Sequence, residues 1–134
     1  VNKDYLFQAT NPNGHQVLLD NKSKTTGEVQ GISPMELILM GVAGCSSIDI
    51  VAILNKQKIN PTSLKMEVEG LRHEGAVPAL FYQIDITIHL EGDFSAEKAK
   101  RAAQLSFEKY CSVSKTLEPT AKINHHIILN GAAI

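Results

Sequence analysis

One apolar stretch decides the fold, and it reads SPMELILMGVAGCSSIDIVAILNK from Ser33 to Lys56. Serine followed by proline is typical of a helix start, because the serine side chain caps the first turn and proline fits its first position. From Met35 onward the stretch is apolar on most sides, which is typical of a helix covered by other parts of a protein. Asn60-Pro61 then stops the helix. The sequence therefore predicts one long helix over Met35–Lys56.

Strand patterns lie on both sides of this helix. Before it, Tyr5–Thr10 and His15–Asp20 flank the turn residues Asn11-Pro12-Asn13-Gly14, which predicts a hairpin. After it, Leu64–Arg72 and Tyr82–Leu90 alternate apolar and polar side chains. This alternation predicts an antiparallel pair with one face towards water.

The remaining elements complete an α+β chain. Ser95–Tyr110 carries alanines and aromatics near one helical stripe, Ser112–Leu117 suits a short helical turn, and Ile123–Leu129 reads as a last strand. The order ββ-α-ββ-α-β predicts an α+β fold in which helices pack on antiparallel sheet. No linker interrupts the chain, so we expect a single domain over residues 1–134.

The composition of the chain excludes several classes of protein. The 134 residues carry 13 Lys+Arg against 14 Asp+Glu, so the chain lacks the cationic excess of nucleic-acid binders. Two cysteines exclude a disulfide-rich secreted scaffold. The most apolar stretch, Met35–Leu54, contains Glu36 and Asp49, which suits a helix buried in protein better than a membrane span. We expect a cytoplasmic protein that binds neither nucleic acid nor membrane.

Two adjacent histidines are the first candidates for a metal site. His125 and His126 follow one another on a predicted strand, so their side chains point to opposite faces. We expect His125, in line with Ile123 and Ile127, to be packed and His126 to be solvated. The other polar candidates are scattered along the chain, so the sequence predicts no metal and no cofactor.

Cys45 and Cys111 are the most informative residues for chemistry, and two interpretations of them stay open. Each suits a small buried hydrophobe, as free cysteine often is. Against this, Cys45 follows the glycines at 41 and 44, which leave room for a substrate or another segment, and Cys111 ends a predicted helix. If the fold brings the two thiols together, they can form a reversible disulfide. Asp49, one turn after Cys45, is typical of a hydrogen-bond anchor between helices.

Three motifs carry a family resemblance: Ser-Pro-Met-Glu-Leu at 33–37, Gly-Val-Ala-Gly-Cys at 41–45 and Glu-Lys-Tyr-Cys-Ser-Val-Ser at 108–114. Together they resemble the OsmC/Ohr family of osmotically inducible and organic-hydroperoxide-resistance proteins, nearest to a short, poorly characterised bacterial OsmC-like subgroup. The resemblance covers nearly the whole chain in element order. It implies an intertwined homodimer in which antiparallel sheets wrap two long central helices, with two active sites near the interface.

The resemblance also implies an activity in the oxidative stress response. Cys45 would attack the O–O bond of an organic hydroperoxide and become a sulfenic acid, and Cys111 would resolve it to a disulfide. An external dithiol would then reduce the disulfide, and Glu36 completes the implied catalytic set. The alternative is a non-catalytic OsmC-like protein that binds a small apolar ligand at the dimer interface.

The chain departs from the family pattern in two places. Met35 follows the proline where active members have a glutamate, so the acid comes one step later, at Glu36. Because Glu36 precedes Cys45 by nine positions, about 13 Å along a helix and nearly opposite in direction, it would have to act across the dimer interface. The family also uses an N-terminal Arg, whereas this chain has none before Arg72. Lys22 or Lys24 would be its substitute.

Overall fold

The computed structural model describes residues 4–23 and 26–134. The chain divides into two compact units, Val1–Ile38 and Leu39–Ile134. The assignment of residues 1–134 to a single domain stays a prediction. The α+β class is confirmed by two sheets and one long helix.

The first unit holds the predicted hairpin. Strands β1 (Phe7–Thr10) and β2 (Gln16–Leu19) pair antiparallel. The Asn11 side chain organises the turn, because its Oδ1 accepts hydrogen bonds from the backbone N–H groups of Asn13 at 3.1 Å and His15 at 2.8 Å. An Asx residue of this kind closes a turn by replacing backbone partners. The hairpin prediction is therefore confirmed.

The long helix α1 spans Pro34–Lys56, one residue earlier than expected. Ser33 and Glu36 fix its start by reciprocal hydrogen bonds. The Glu36 N–H donates to Ser33 Oγ at 3.1 Å, and the Ser33 N–H donates to Glu36 Oε1 at 3.0 Å. This arrangement is a capping box, which satisfies two N–H groups that a helix start otherwise leaves unpaired.

The second unit contains a four-stranded sheet in the order β3-β4-β5-β6. Its strands are β3 (Ser63–Arg72), β4 (Phe81–Glu91), β5 (Lys122–Leu129) and β6 (Ala132–Ala133). The pair β3–β4 is antiparallel, as expected, and β5 pairs antiparallel with β6, a short strand that was not predicted, but β4 and β5 run parallel. The prediction of a purely antiparallel sheet was therefore wrong for β4 and β5. The chain passes through its helices between these two strands, so it returns to the sheet in the same direction.

The core of the second unit is aliphatic. Alternate residues of β4 have almost no exposed surface (Ile84, Ile86, Ile88 and Leu90). Small side chains on the following helix are equally buried (Ala99, Ala102 and Ala103). Alanines let a helix approach a neighbouring layer closely, and this helix contacts β5.

The segment predicted as one helix over Ser95–Tyr110 is divided in the structure. Helix α2 spans Ala96–Leu105, a π-helical turn occupies Ser106–Tyr110, and helix α3 spans Ser112–Leu117. In the π turn the Cys111 N–H donates to the Ser106 carbonyl, five residues back, at 2.7 Å. The prediction of one continuous α-helix was therefore wrong after Leu105, because the π-helical turn is wider and accommodates one extra residue. Such turns occur frequently at functional sites.

Helix α1 leaves an apolar stripe uncovered in the single chain. Its buried residues are spaced four apart (Val42, Ser46, Ile50 and Leu54). A second set with the same spacing is exposed (Met40, Gly44, Ile48 and Ala52). By length and composition α1 is also the one helix among the described residues that could cross a membrane, a property it shares with core helices of soluble proteins. The stripe, defined by these four residues, is an apolar surface that the described part of the chain leaves exposed.

Candidate redox site

Cys45, Asp49 and Cys111 converge in the second unit. The two Sγ atoms and a carboxylate oxygen of Asp49 all lie within 4.8 Å of one another. Cys45 and Asp49 are one turn apart on α1, so they share a face. Cys111 joins the π turn to α3. The fold thus brings together two thiols that are far apart in sequence, and both are free.

Cys111 is the more enclosed thiol, with 0% of its surface exposed. Burial raises the pKa of the Cys111 thiol, and the neighbouring Cys45 side chain adds to the increase. The opposing contribution comes from Ser114, whose N–H and Oγ–H donate to the Cys111 Sγ at 3.4 and 3.1 Å. Because burial has the largest effect, Cys111 is a protonated thiol near neutral pH.

Asp49 is held by a hydrogen bond from the π turn. The Ser106 hydroxyl, fully buried, donates to Asp49 Oδ2 at 3.1 Å. The expectation that Asp49 anchors one helix to another segment is met by this bond. Neither Ser106 nor Ser114 was predicted as a site residue from the sequence. Ser106 could have been found from its position, because it follows Ala103 by three residues and so lies on the apolar face of the amphipathic segment. Ser114 ends the motif at 108–114 that carries the family resemblance, but no role was predicted for it.

The residue after Cys45 fastens α1 to the sheet. Ser46 is fully buried, and its hydroxyl donates to the Val42 carbonyl at 2.6 Å and contacts the Met66 Sδ at 3.1 Å. Met66 belongs to β3. This contact joins α1 to β3 one residue after Cys45.

Glu36 lies in the first unit and has a local role. Its capping bonds with Ser33 lower the pKa of the Glu36 carboxyl. Of the two lysines considered as substitutes for the family's Arg, Lys22 is exposed in the first unit and Lys24 lies outside the described residues.

The two histidines behave as the strand pattern predicts. His125 stacks on Phe107 with ring centroids 4.8 Å apart, and burial lowers the pKa of His125. His126 is exposed.

Comparisons with known proteins agree with this architecture. The family model described as OsmC-like protein matches residues 25–126. Protein YhfA of Escherichia coli K12 is 38% identical over 120 residues, which cover 89% of this chain and 86% of YhfA. The crystal structure of a hypothetical protein from Aquifex aeolicus is similar to this structure, with a TM-score of 0.79 and 26% sequence identity. The match covers 97% of this chain and 92% of that one.

A more distant structure carries a functional name. The organic hydroperoxide resistance protein OsmC of Legionella pneumophila is similar with a TM-score of 0.62 at 18% identity, over 95% of this chain and 97% of that one. At this identity the likeness shows the fold alone. The family match and the YhfA identity go further, and the chain belongs to the OsmC-like protein family.

Proposed function

We propose that the protein is a cysteine-based thiol peroxidase that reduces organic hydroperoxides to alcohols. The observation that carries the proposal is the approach of the Cys45 and Cys111 sulfur atoms to within 4.8 Å, with no disulfide between them. Two thiols at this separation reach disulfide geometry by small side-chain movements. The name of the Legionella pneumophila relative indicates the substrate class.

The reaction takes place in two steps on the protein. The Cys45 sulfur attacks the O–O bond of the hydroperoxide, takes the terminal oxygen as a sulfenic acid, and the remaining alkoxide leaves as the alcohol with the proton of the thiol. The Cys111 thiol then attacks the sulfenic sulfur, which releases water and forms the disulfide. An external dithiol reduces this disulfide by thiol–disulfide exchange. Such a reductant is typical of a reducing compartment, so the proposal includes a cytoplasmic location.

Burial supports the order of the two thiols. Cys111 is fully buried and protonated, which suits a resolving thiol that reacts after an intermediate has formed beside it. Cys45 is half-buried, so a peroxide can reach it more easily. A position at a helix boundary by itself lowers the pKa of a thiol and would favour Cys111 as the nucleophile, but burial raises the pKa of Cys111 more than the hydrogen bonds from Ser114 lower it.

The proposal includes a homodimer. The stripe of α1 stays exposed among the described residues of the single chain, and a Cβ added to Gly44 would meet no atom of another element within 4 Å. A second copy packed on the stripe would cover this apolar surface, as in closed homodimers. Within this proposal, Glu36 participates across the dimer interface.

A peroxide-consumption assay with a dithiol reductant tests the function. We expect the reduced protein to consume an organic hydroperoxide faster than hydrogen peroxide, and Cys45→Ser to abolish turnover. Ser112→Ala, an exposed change next to Cys111, is the matched control and should keep the parent rate. An inert parent with free thiols would contradict the proposal and favour a binding protein for an apolar ligand.

Glu36→Gln tests the carboxylate separately from the helix start. Glutamine also closes a capping box, so we expect the free energy of unfolding to change by less than about 0.5 kcal/mol. If Glu36 participates, the variant consumes peroxide more slowly than the parent. An unchanged rate would leave Glu36 with its capping role alone.

A further inference from the structure

We propose that the reduced cluster of Cys45, Asp49 and Cys111 is a binding site for one thiophilic divalent cation of the zinc type. The three donor atoms lie within 4.8 Å of one another. Around a tetrahedral zinc ion, with bonds of about 2.3 Å to sulfur, two thiolates are about 3.8 Å apart. Small side-chain rotations therefore bring the donors to coordinating distance without movement of the backbone.

The charges of the cluster favour a cation. Each of its three members becomes an anion on losing a proton, and like charges at this separation oppose one another. Among the described residues, the ion pairs are Lys65–Glu67, His89–Glu67 and Lys115–Glu118, and none of them includes Asp49. A divalent ion would supply the positive charge, since binding releases the two thiol protons to solvent and leaves both thiolates and the carboxylate as ligands.

Outer hydrogen bonds hold two of the three donors in place. Ser106 donates to Asp49 Oδ2 at 3.1 Å, and Ser114 donates to the Cys111 sulfur through its hydroxyl at 3.1 Å. Both serines are buried, with at most 1% of their surface exposed. Fixed outer partners of this kind orient ligands around protein-bound metals. Each of these two buried serine hydroxyls therefore has a donor atom of the cluster as its acceptor.

Three protein donors leave one coordination position for water. We expect solvent to reach that position from the side of Cys45 and Asp49, because both residues are half-buried. The sequence predicted no metal, because its two adjacent histidines point to opposite faces of a strand and its other polar candidates are scattered along the chain. Here the donors come from a helix and from a turn that is distant in sequence, with Cys111 62 positions beyond Asp49.

Metal binding and peroxide reduction would exclude one another, although metal binding can be measured by itself. A disulfide between Cys45 and Cys111 uses both donor sulfurs, so the oxidised protein has no site. The ion and the peroxide would compete for the same reduced thiols. Binding itself requires no turnover, and it is measured without peroxide.

The experiment is a titration of the reduced full chain with Co²⁺, followed by displacement with Zn²⁺. We expect one Co²⁺ per chain, a thiolate-to-cobalt absorption band, and loss of that band when Zn²⁺ is added. Asp49→Asn keeps the side-chain shape and should weaken Co²⁺ binding at least about tenfold. Cys45→Ser should reduce the intensity of the thiolate band. Because Cys111 is fully buried, the test relies on these two variants, with folding checked by circular dichroism.

Two controls separate the site from adventitious binding. Asp85→Asn changes a carboxylate held by Gln83 and Asn124 in the sheet, and His126→Gln removes an exposed histidine. Both should bind Co²⁺ like the parent. Unchanged binding in Asp49→Asn and Cys45→Ser, absence of a thiolate band, or equal binding by the disulfide-oxidised protein would overturn the proposal. Metal binding by a protein that is inert towards peroxide would contradict the peroxidase and leave this site standing.

Discussion

The buried Ser106 hydroxyl donates a hydrogen bond to the Asp49 carboxylate at 3.1 Å, across 57 positions of sequence. Ser106 begins the π turn that leads into Cys111, and Asp49 lies one turn beyond Cys45. The bond therefore joins the segment that carries one thiol to the helix that carries the other. It directly connects α1 and the π turn, the two elements that form the proposed redox site.

Removal of this link should cost stability. In Ser106→Ala the Asp49 carboxylate loses a donor, and we expect the free energy of unfolding to fall by about 1 to 2 kcal/mol. Urea denaturation measures the change. Ser112→Ala removes an exposed hydroxyl from the neighbouring helix and should stay within about 0.5 kcal/mol of the parent. Equal stability of the two variants would mean that solvent replaces the Ser106 bond.

The resolving role of Cys111 has a distinct chemical signature. After one equivalent of organic hydroperoxide, Cys111→Ser should hold a sulfenic acid on Cys45, detectable by mass spectrometry with a dimedone-type trap. Without the second thiol this species should then oxidise further to sulfinic acid. The parent should instead lose two protons and form no crosslink between chains. A trapped sulfenic acid on Cys111 in Cys45→Ser would reverse the two roles.

The exposed stripe of α1 predicts the oligomeric state. We expect sedimentation to give a homodimer at micromolar concentration, and Ile48→Glu to shift it towards the monomer, because a charge would be buried without a partner. Ile48 is 72% exposed in the single chain. Val77→Glu is the control, since Val77 is 97% exposed in the loop between β3 and β4. A monomeric parent would contradict the proposed dimer.

His125 should make stability depend on pH. Its folded-state pKa is lowered from the ordinary value of 6.5, by burial first and then by the charge of His126, while Glu108 acts in the opposite direction. Below pH 6.5 the unfolded chain binds a proton that the folded chain resists. The free energy of unfolding should therefore fall as the pH is lowered from 7 towards 5. Above pH 7, His125 should contribute no further pH dependence.

His125→Gln checks this dependence because it removes the titrating ring. We expect the variant to lose less stability than the parent between pH 7 and pH 5 in urea denaturation. His126→Gln, a change at the exposed neighbour, should keep most of the parent's slope. A slope that is the same in the parent and in His125→Gln would assign the pH dependence to other groups.

The family membership could be predicted from the chain alone because its motifs are local. Ser33-Pro34 with Glu36 specifies a helix start within one turn, and the capping box in the structure uses those same residues. The hairpin at Asn11 follows from turn chemistry in the same way. Strand alternation in β3 and β4 also depends on neighbours two residues apart, so these elements were predictable to within one residue.

By itself, then, the sequence determined the helices and strands that depend on short-range periodicity and capping. It also identified the two cysteines as the candidates for redox chemistry. The tertiary structure alone decided that β5 runs parallel to β4, that the helix before Cys111 ends in a π turn, and that Asp49 meets both thiols. The physical reason is range. A cap or an alternating strand is decided within a few residues, whereas the meeting of Asp49 and Cys111 depends on how whole elements pack, which no local pattern specifies.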